Sequence, residues 1–254
     1  MSTLSVRNIS VAFGGNKALS DVSFDVGPGQ IFAIIGPNGA GKSTIFNAVS
    51  RIYDVATGSI SFGSHDILAL APHQVVATGI ARTFQNIELF DNATVLQNLL
   101  VGCHSRMSRN MLADFLFLPS VRRGELAARH RVEEILDLLD LQHLRGERVA
   151  DLPYGARKNV ELARALCADP KLLLLDEPAS GLNPEETTDM AFWLKDIKEE
   201  LGVTILMVEH DMNLVGRTAD RVLALANGRV VAEGTIAEVQ ANPDVQAAYL
   251  GVTA

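Results

Sequence analysis

Only two cysteines, Cys103 and Cys167, occur in the 254 residues. They lie far apart in the sequence with neither metal-ligand nor redox spacing, which excludes a disulfide scaffold and points to a reducing compartment. Both read as ordinary core or surface thiols. Basic charge is scarce as well: the formal net charge of -8 argues against wholesale nucleic-acid binding, which calls for a basic face. No apolar run approaches the roughly 20 residues that span a bilayer. The longest, residues 111–118, stops at Pro119 and is either core or an exposed contact surface. Residues 1–7 lack the basic start and long apolar stretch of a secretory signal. Internal repeats and low-complexity linkers are absent too.

What the chain does have is enough apolar residue, 48%, for a substantial core. Leu4, Val6, Ile9, Val11 and Phe13 alternate until Gly14-Gly15, and residues 18–26 repeat the pattern until Gly27-Pro28-Gly29, so two paired strands are predicted. Residues 58–62 read as a further strand of the same sheet. The continuous apolar runs 31–35, 171–175 and 203–208 have the character of buried parallel strands. Between the last two, residues 184–201 fit a crossover helix capped by Asn183 with Pro184 at its first position. Asn227-Gly228 makes a hairpin of residues 221–226 and 229–232, and the tail reads as two short helices parted at Asn242-Pro243. The stretch 85–168 is mostly helical, with Val132, Ile135, Leu136 and Leu139 on one stripe and a helix over 157–168. These elements imply an α/β chain in which residues 1–84 and 169–254 form a core with a parallel sheet and 85–168 a helical insertion.

Gly36-Pro37-Asn38-Gly39-Ala40-Gly41-Lys42-Ser43-Thr44 follows the first buried run and opens a short helix. It matches G-x-x-x-x-G-K-[ST], whose glycines let backbone N–H groups turn inward around phosphates at the positive end of a helix. Lys42 then reaches the terminal phosphates, and the Ser43 hydroxyl can ligate magnesium. A triphosphate held there needs its metal gripped from a second side. Asp176 and Glu177 end a predicted parallel strand, where ligands bind in such sheets. Asp176 is the metal partner, through water, and Glu177 the general base or water-orienting group. His210 ends the next strand and can meet the γ-phosphate. Gln85 borders the helical insertion and can contact magnesium or the attacking water. Phe13 is either an exposed ring that stacks on adenine or a core residue.

Together these motifs resemble the ATPase subunits of ABC transporters over essentially the whole chain: the phosphate loop, Gln85, Asp176-Glu177, residues 179–184, and His210 within Val208-Glu-His-Asp-Met212. The resemblance implies a P-loop NTPase with a RecA-like core sheet, an N-terminal antiparallel β-subdomain and a helical subdomain. It implies ATP with Mg2+, and a second ABC ATPase subunit facing the first head to tail. Two integral membrane permeases, an extracytoplasmic solute-binding protein reached indirectly, no nucleic acid, and a place on the cytoplasmic face of the membrane complete the expectation. The signature segment that would complete the partner's site departs from the usual Leu-Ser-Gly-Gly-Gln: it reads Leu152-Pro153-Tyr154-Gly155-Ala156. Pro153 brings neither hydroxyl nor N–H, a loss of about 1.5–3 kcal/mol for a bond to a charged group, whereas the Gly155 N–H can still donate. Asn183 stands where Asp is common.

The tyrosine-glycine signature, the run 79–90, Gly181-Leu-Asn-Pro184 and the ending 242–251 look like the ATPase of branched-chain amino acid importers. Relatives of that type also serve urea, short amides and aromatic acids. Coupling to the permeases is expected near residues 85–98, with 111–118 a second candidate. The competing readings are an ATPase of lipid or lipopolysaccharide export, and a soluble ABC-type switch.

Overall fold

Alternation along Leu4–Phe13 (β1) and Asn16–Val26 (β2) puts Leu4, Val6, Ile9 and Val11 against Leu19, Val22, Phe24 and Val26 on the buried face of an antiparallel pair. The strands meet at Gly14-Gly15, whose φ of +53° and +90° makes the primed hairpin turn and lets β2 start at Asn16, two residues before the alternation predicts. β3 (Ile31–Ile35) belongs to another sheet. β4 (Thr57–Phe62) and β5 (His65–Asp66) complete the first, in the order β2-β1-β4-β5. In this computed structural model residues 3–106 and 119–250 are described; the apolar run 111–118 lies outside them.

The second sheet adds β6 (Ile80–Arg82), β7 (Leu172–Asp176), β8 (Thr204–Val208), β9 (Arg221–Ala226) and β10 (Arg229–Gly234) in the order β10-β9-β3-β8-β7-β6, parallel except for the β9-β10 hairpin. Every residue of β3, β7 and β8 is buried, as strands covered on both faces must be. The helices of this part are α1 (Lys42–Val49) and the short α2 (Pro72–Val75). After the helical insertion, whose α3 is Val95–Gly102, α4 Pro119–Leu138 and α5 Tyr154–Leu166, come α6 (Pro184–Leu201), α7 (Met212–Thr218), α8 (Ile236–Ala241) and α9 (Pro243–Leu250). Asn183 caps α6 as the spacing predicts: its Oδ1 accepts from the N–H groups of Glu185 and Glu186, and the Glu186 carboxylate accepts from the Asn183 N–H.

Backbone contacts divide the chain into residues 1–82 with 171–254, and residues 83–170. In the second unit the stripe Val132, Ile135, Leu136 and Leu139 is buried. Here α5 begins at Tyr154, three residues before the expected start, because the Arg157 N–H already bonds the Pro153 carbonyl and closes a first turn there. Cys103 and Cys167, distant in sequence, meet in this unit, and their contact together with burial holds the Cys167 thiol far above its ordinary pKa. Such thiols are unreactive packing groups. Among the described residues no helix is long and apolar enough to cross a membrane.

Candidate active site

The phosphate loop runs from the end of β3 into α1. Two of its glycines are required by close approach: a Cβ on Gly36 would lie 2.2 Å from the Leu225 carbonyl oxygen, and one on Gly41 2.7 Å from the Leu19 side chain and 2.8 Å from the Ala18 carbonyl. Asn38, Gly39 and Ser43 are exposed along the loop and Thr44 is half-buried. Lys42 is buried, and its ammonium donates to the carbonyls of Gly36 at 2.8 Å and Pro37 at 3.1 Å. Burial lowers its pKa, opposed by the charges of Glu177 and Asp176, so both acids lie within electrostatic reach of the lysine.

Those acids stand where β7 ends. Asp176 is buried, and Arg82, at the end of β6, donates to its Oδ2 at 3.0 Å. The same guanidinium donates to Asn47 Oδ1 at 2.8 Å and Ser50 Oγ at 3.2 Å, and sits 5.6 Å above the Phe46 ring. Glu177 turns the chain out of the sheet with φ +51°, a conformation that costs a non-glycine residue about 1–2 kcal/mol and that clusters at functional sites. Its N–H bonds the Val208 carbonyl at 2.9 Å, one step past the last strand pair. Next to it, His210 Nδ1 lies 4.0 Å from Glu177 Oε2, beyond a hydrogen bond but within ion-pair reach. Lys42, Asp176, Glu177 and His210 are thus gathered at the carboxyl ends of β3, β7 and β8.

Phe13 is 48% exposed and therefore no core residue; the ring of Tyr53 meets it edge to face at 4.9 Å. The available donors, a serine hydroxyl and carboxylates, suit a hard divalent cation. Among the described residues no group of three or more His, Cys, Asp or Glu is placed to hold a metal ion.

The remaining sequence-predicted residues lie in the unit 83–170. Gln85 stands on the segment leading into α3. In the signature segment, Tyr154 is exposed and Gly155 buried at the start of α5, while Arg157 ties the preceding loop by donating to the carbonyls of Leu152 at 3.0 Å and Ala150 at 2.6 Å. The exposed Phe90 is held from behind: buried Asn98 accepts from its N–H at 2.9 Å and donates to its carbonyl at 3.1 Å. Arg164 also donates to the Glu88 carbonyl.

Three residues that sequence reasoning missed belong to this picture: Arg82, Tyr53 and the wholly buried Glu209. Glu209 sits between β8 and His210, an informative position that local sequence does not distinguish from any exposed strand-end acid.

A family model described as ABC transporter matches residues 19–180, and one described as branched-chain amino acid ATP-binding cassette transporter matches residues 229–254. The high-affinity branched-chain amino acid transport ATP-binding protein BraF of Pseudomonas aeruginosa is 38% identical, the match covering 98% of this chain and 97% of BraF. LivG of Escherichia coli, with the same description, is 37% identical over the same shares. Among solved structures, the ADP conformation of an ATP-binding cassette of an ABC transporter superposes with a TM-score of 0.86 at 33% identity, covering 99% of each chain.

Proposed function

The chain belongs to the ABC transporter ATP-binding subunits, in their branched-chain amino acid group, and from this premise we propose that it hydrolyses ATP in a head-to-tail dimer to drive import of an amino acid or a related small polar or aromatic solute. The observation that carries the reading is the gathering of Lys42, Asp176, Glu177 and His210 at one edge of the parallel sheet. In the proposed mechanism the loop N–H groups of residues 36–44 and the Lys42 ammonium hold the phosphates. Ser43, Asp176 and Gln85 would hold Mg2+, whose contribution is to offset phosphate charge. Glu177 orients the attacking water and accepts its proton, as water adds to the γ-phosphorus and the bond to the bridging oxygen breaks, releasing ADP. His210 donates toward the γ-phosphate and stays within reach of Glu177.

Pro153, Tyr154 and Gly155 are assigned to the site of the second ATPase subunit, same or related, with the Gly155 N–H and the start of α5 as donors. The nucleotide-binding part takes in residues 1–84 and 169–254, the signature part 85–168. Two permeases would anchor the dimer at the cytoplasmic face, with a solute-binding protein outside and no nucleic acid involved.

The test is reconstitution of the chain with two permeases and their binding protein in vesicles. ATP hydrolysis should rise when loaded binding protein is added, with uptake of the solute. Hydrolysis indifferent to every membrane partner, or outward movement of lipid instead of uptake, would overturn the reading. In the same vesicles, alanines at Glu88 and Phe90 should lower uptake while leaving ATP binding intact; unchanged uptake removes segment 85–98 as the coupling surface. Phe13→Ala should weaken ATP binding about 10-fold, from the ~1–3 kcal/mol that base–aromatic stacking contributes. Unchanged affinity by nucleotide titration would return Phe13 to the status of a surface aromatic.

A further inference from the structure

Glu209 is fully buried, yet it is an acid, and burying a carboxylate costs several kcal/mol unless its oxygens are well served. Three backbone N–H groups serve it. Oε1 accepts from Ala179 at 2.8 Å; Oε2 accepts from His210 at 2.7 Å and Asp211 at 3.0 Å. Ala179 lies two residues beyond Glu177 on the chain leaving β7, whereas His210 and Asp211 leave β8. One carboxylate therefore bridges two neighbouring strand ends, each bearing a residue assigned to hydrolysis. At the same level the Glu177 N–H bonds the Val208 carbonyl.

We propose that Glu209 is a positioning residue whose carboxylate, bridging the Ala179 N–H to those of His210 and Asp211, fixes the His210 backbone relative to Glu177 for ATP hydrolysis. The assignment rests on the functional reading above. A carboxylate suits the task because both its oxygens accept. A glutamine of the same shape has one accepting oxygen and an NH2 that must point a donor at a donor, so it serves one strand end and repels the other.

Glu209→Gln should lower kcat for ATP hydrolysis about 10- to 100-fold in the reconstituted complex, the scale of a small misplacement of reacting groups, with ATP affinity unchanged. In a His210→Ala background the same change should lower kcat no more than about twofold further, since the group being positioned is gone. Amide hydrogen exchange should be faster in E209Q at the strand end that faces the NH2, either at Ala179 or at His210 and Asp211 together, a readout independent of activity. Should E209Q fail to fold, Glu209→Asp takes its place. It keeps the charge and the bonds within its own loop but falls short of Ala179, so it should show the same kcat loss with exchange faster at Ala179 alone.

Wild-type kcat in a folded variant, an equal factor in both His210 backgrounds, or exchange unaltered at all three amides in E209Q, or at Ala179 in E209D, would overturn the role. A wild-type complex that hydrolyses no ATP would instead overturn the functional reading, and exchange at the three amides would still decide whether Glu209 bridges them.

Discussion

Glu177→Gln should lower ATP hydrolysis by the reconstituted complex by about 10²- to 10⁴-fold, the range in which a positioned general base contributes, while ATP binding stays intact. The substitution is clean because of how the residue is built in. The positive φ at position 177 is held by the backbone, through its N–H bond to Val208 and the Ser180 N–H bond to its carbonyl. Glutamine thus inherits the same turn and volume, and loses the capacity to take a proton. The charge facing Lys42 falls by one as well, which favours nucleotide retention. Wild-type hydrolysis by E177Q would remove Glu177 as the base and shift attention to His210, 4.0 Å away.

The parts of this site that were legible in the sequence are those whose chemistry is local. The phosphate loop sits within nine consecutive residues between a strand and a helix, so spacing alone exposes it. Asp176 and Glu177 were found because an apolar run stops at them, and His210 because it stands two residues past the end of another, where parallel strands reach the carboxyl end of their sheet. Phe13 was undecided for a physical reason. The register of β1 against β2 shifts between Val11 and Ala12, so alternation loses its phase two residues before the ring and cannot say which way it faces. The early start of α5 was hidden because its first turn contains no apolar stripe, only Tyr154 and Gly155.

Arg82 and Glu209 were invisible for a different reason. Arg82 meets Asp176 across 94 residues of chain, from a three-residue strand too short to show any period, and Glu209 reads as a surface acid until Ala179 is brought to it. Both are charged groups with one partner brought from a distant part of the chain, Asp176 for Arg82 and Ala179 for Glu209, and such pairing is what a single sequence does not display. The same holds for Cys103 and Cys167, whose spacing suggested no relation although the fold brings them together.

Arg82→Met should accordingly be among the most destabilising substitutions outside the core. Breaking a buried ion pair from one side costs about 3–5 kcal/mol, since the remaining charge stays desolvated. Here Asp176 would keep its buried carboxylate facing Lys42 but lose the guanidinium, while Asn47 and Ser50 would lose a shared donor. The expected fall in Tm is on the order of 10 °C for a chain of this size. Methionine fills most of the space over Phe46, so the effect isolates charge and hydrogen bonding from packing. Pairing the change with Asp176→Asn removes the stranded charge, so the double variant should unfold at a temperature well above that expected from adding the two single losses. Additive losses, or an Arg82→Met chain that melts within a degree or two of wild type, would mean that Lys42 and the neighbouring dipoles already balance Asp176 and that Arg82 only packs against α1.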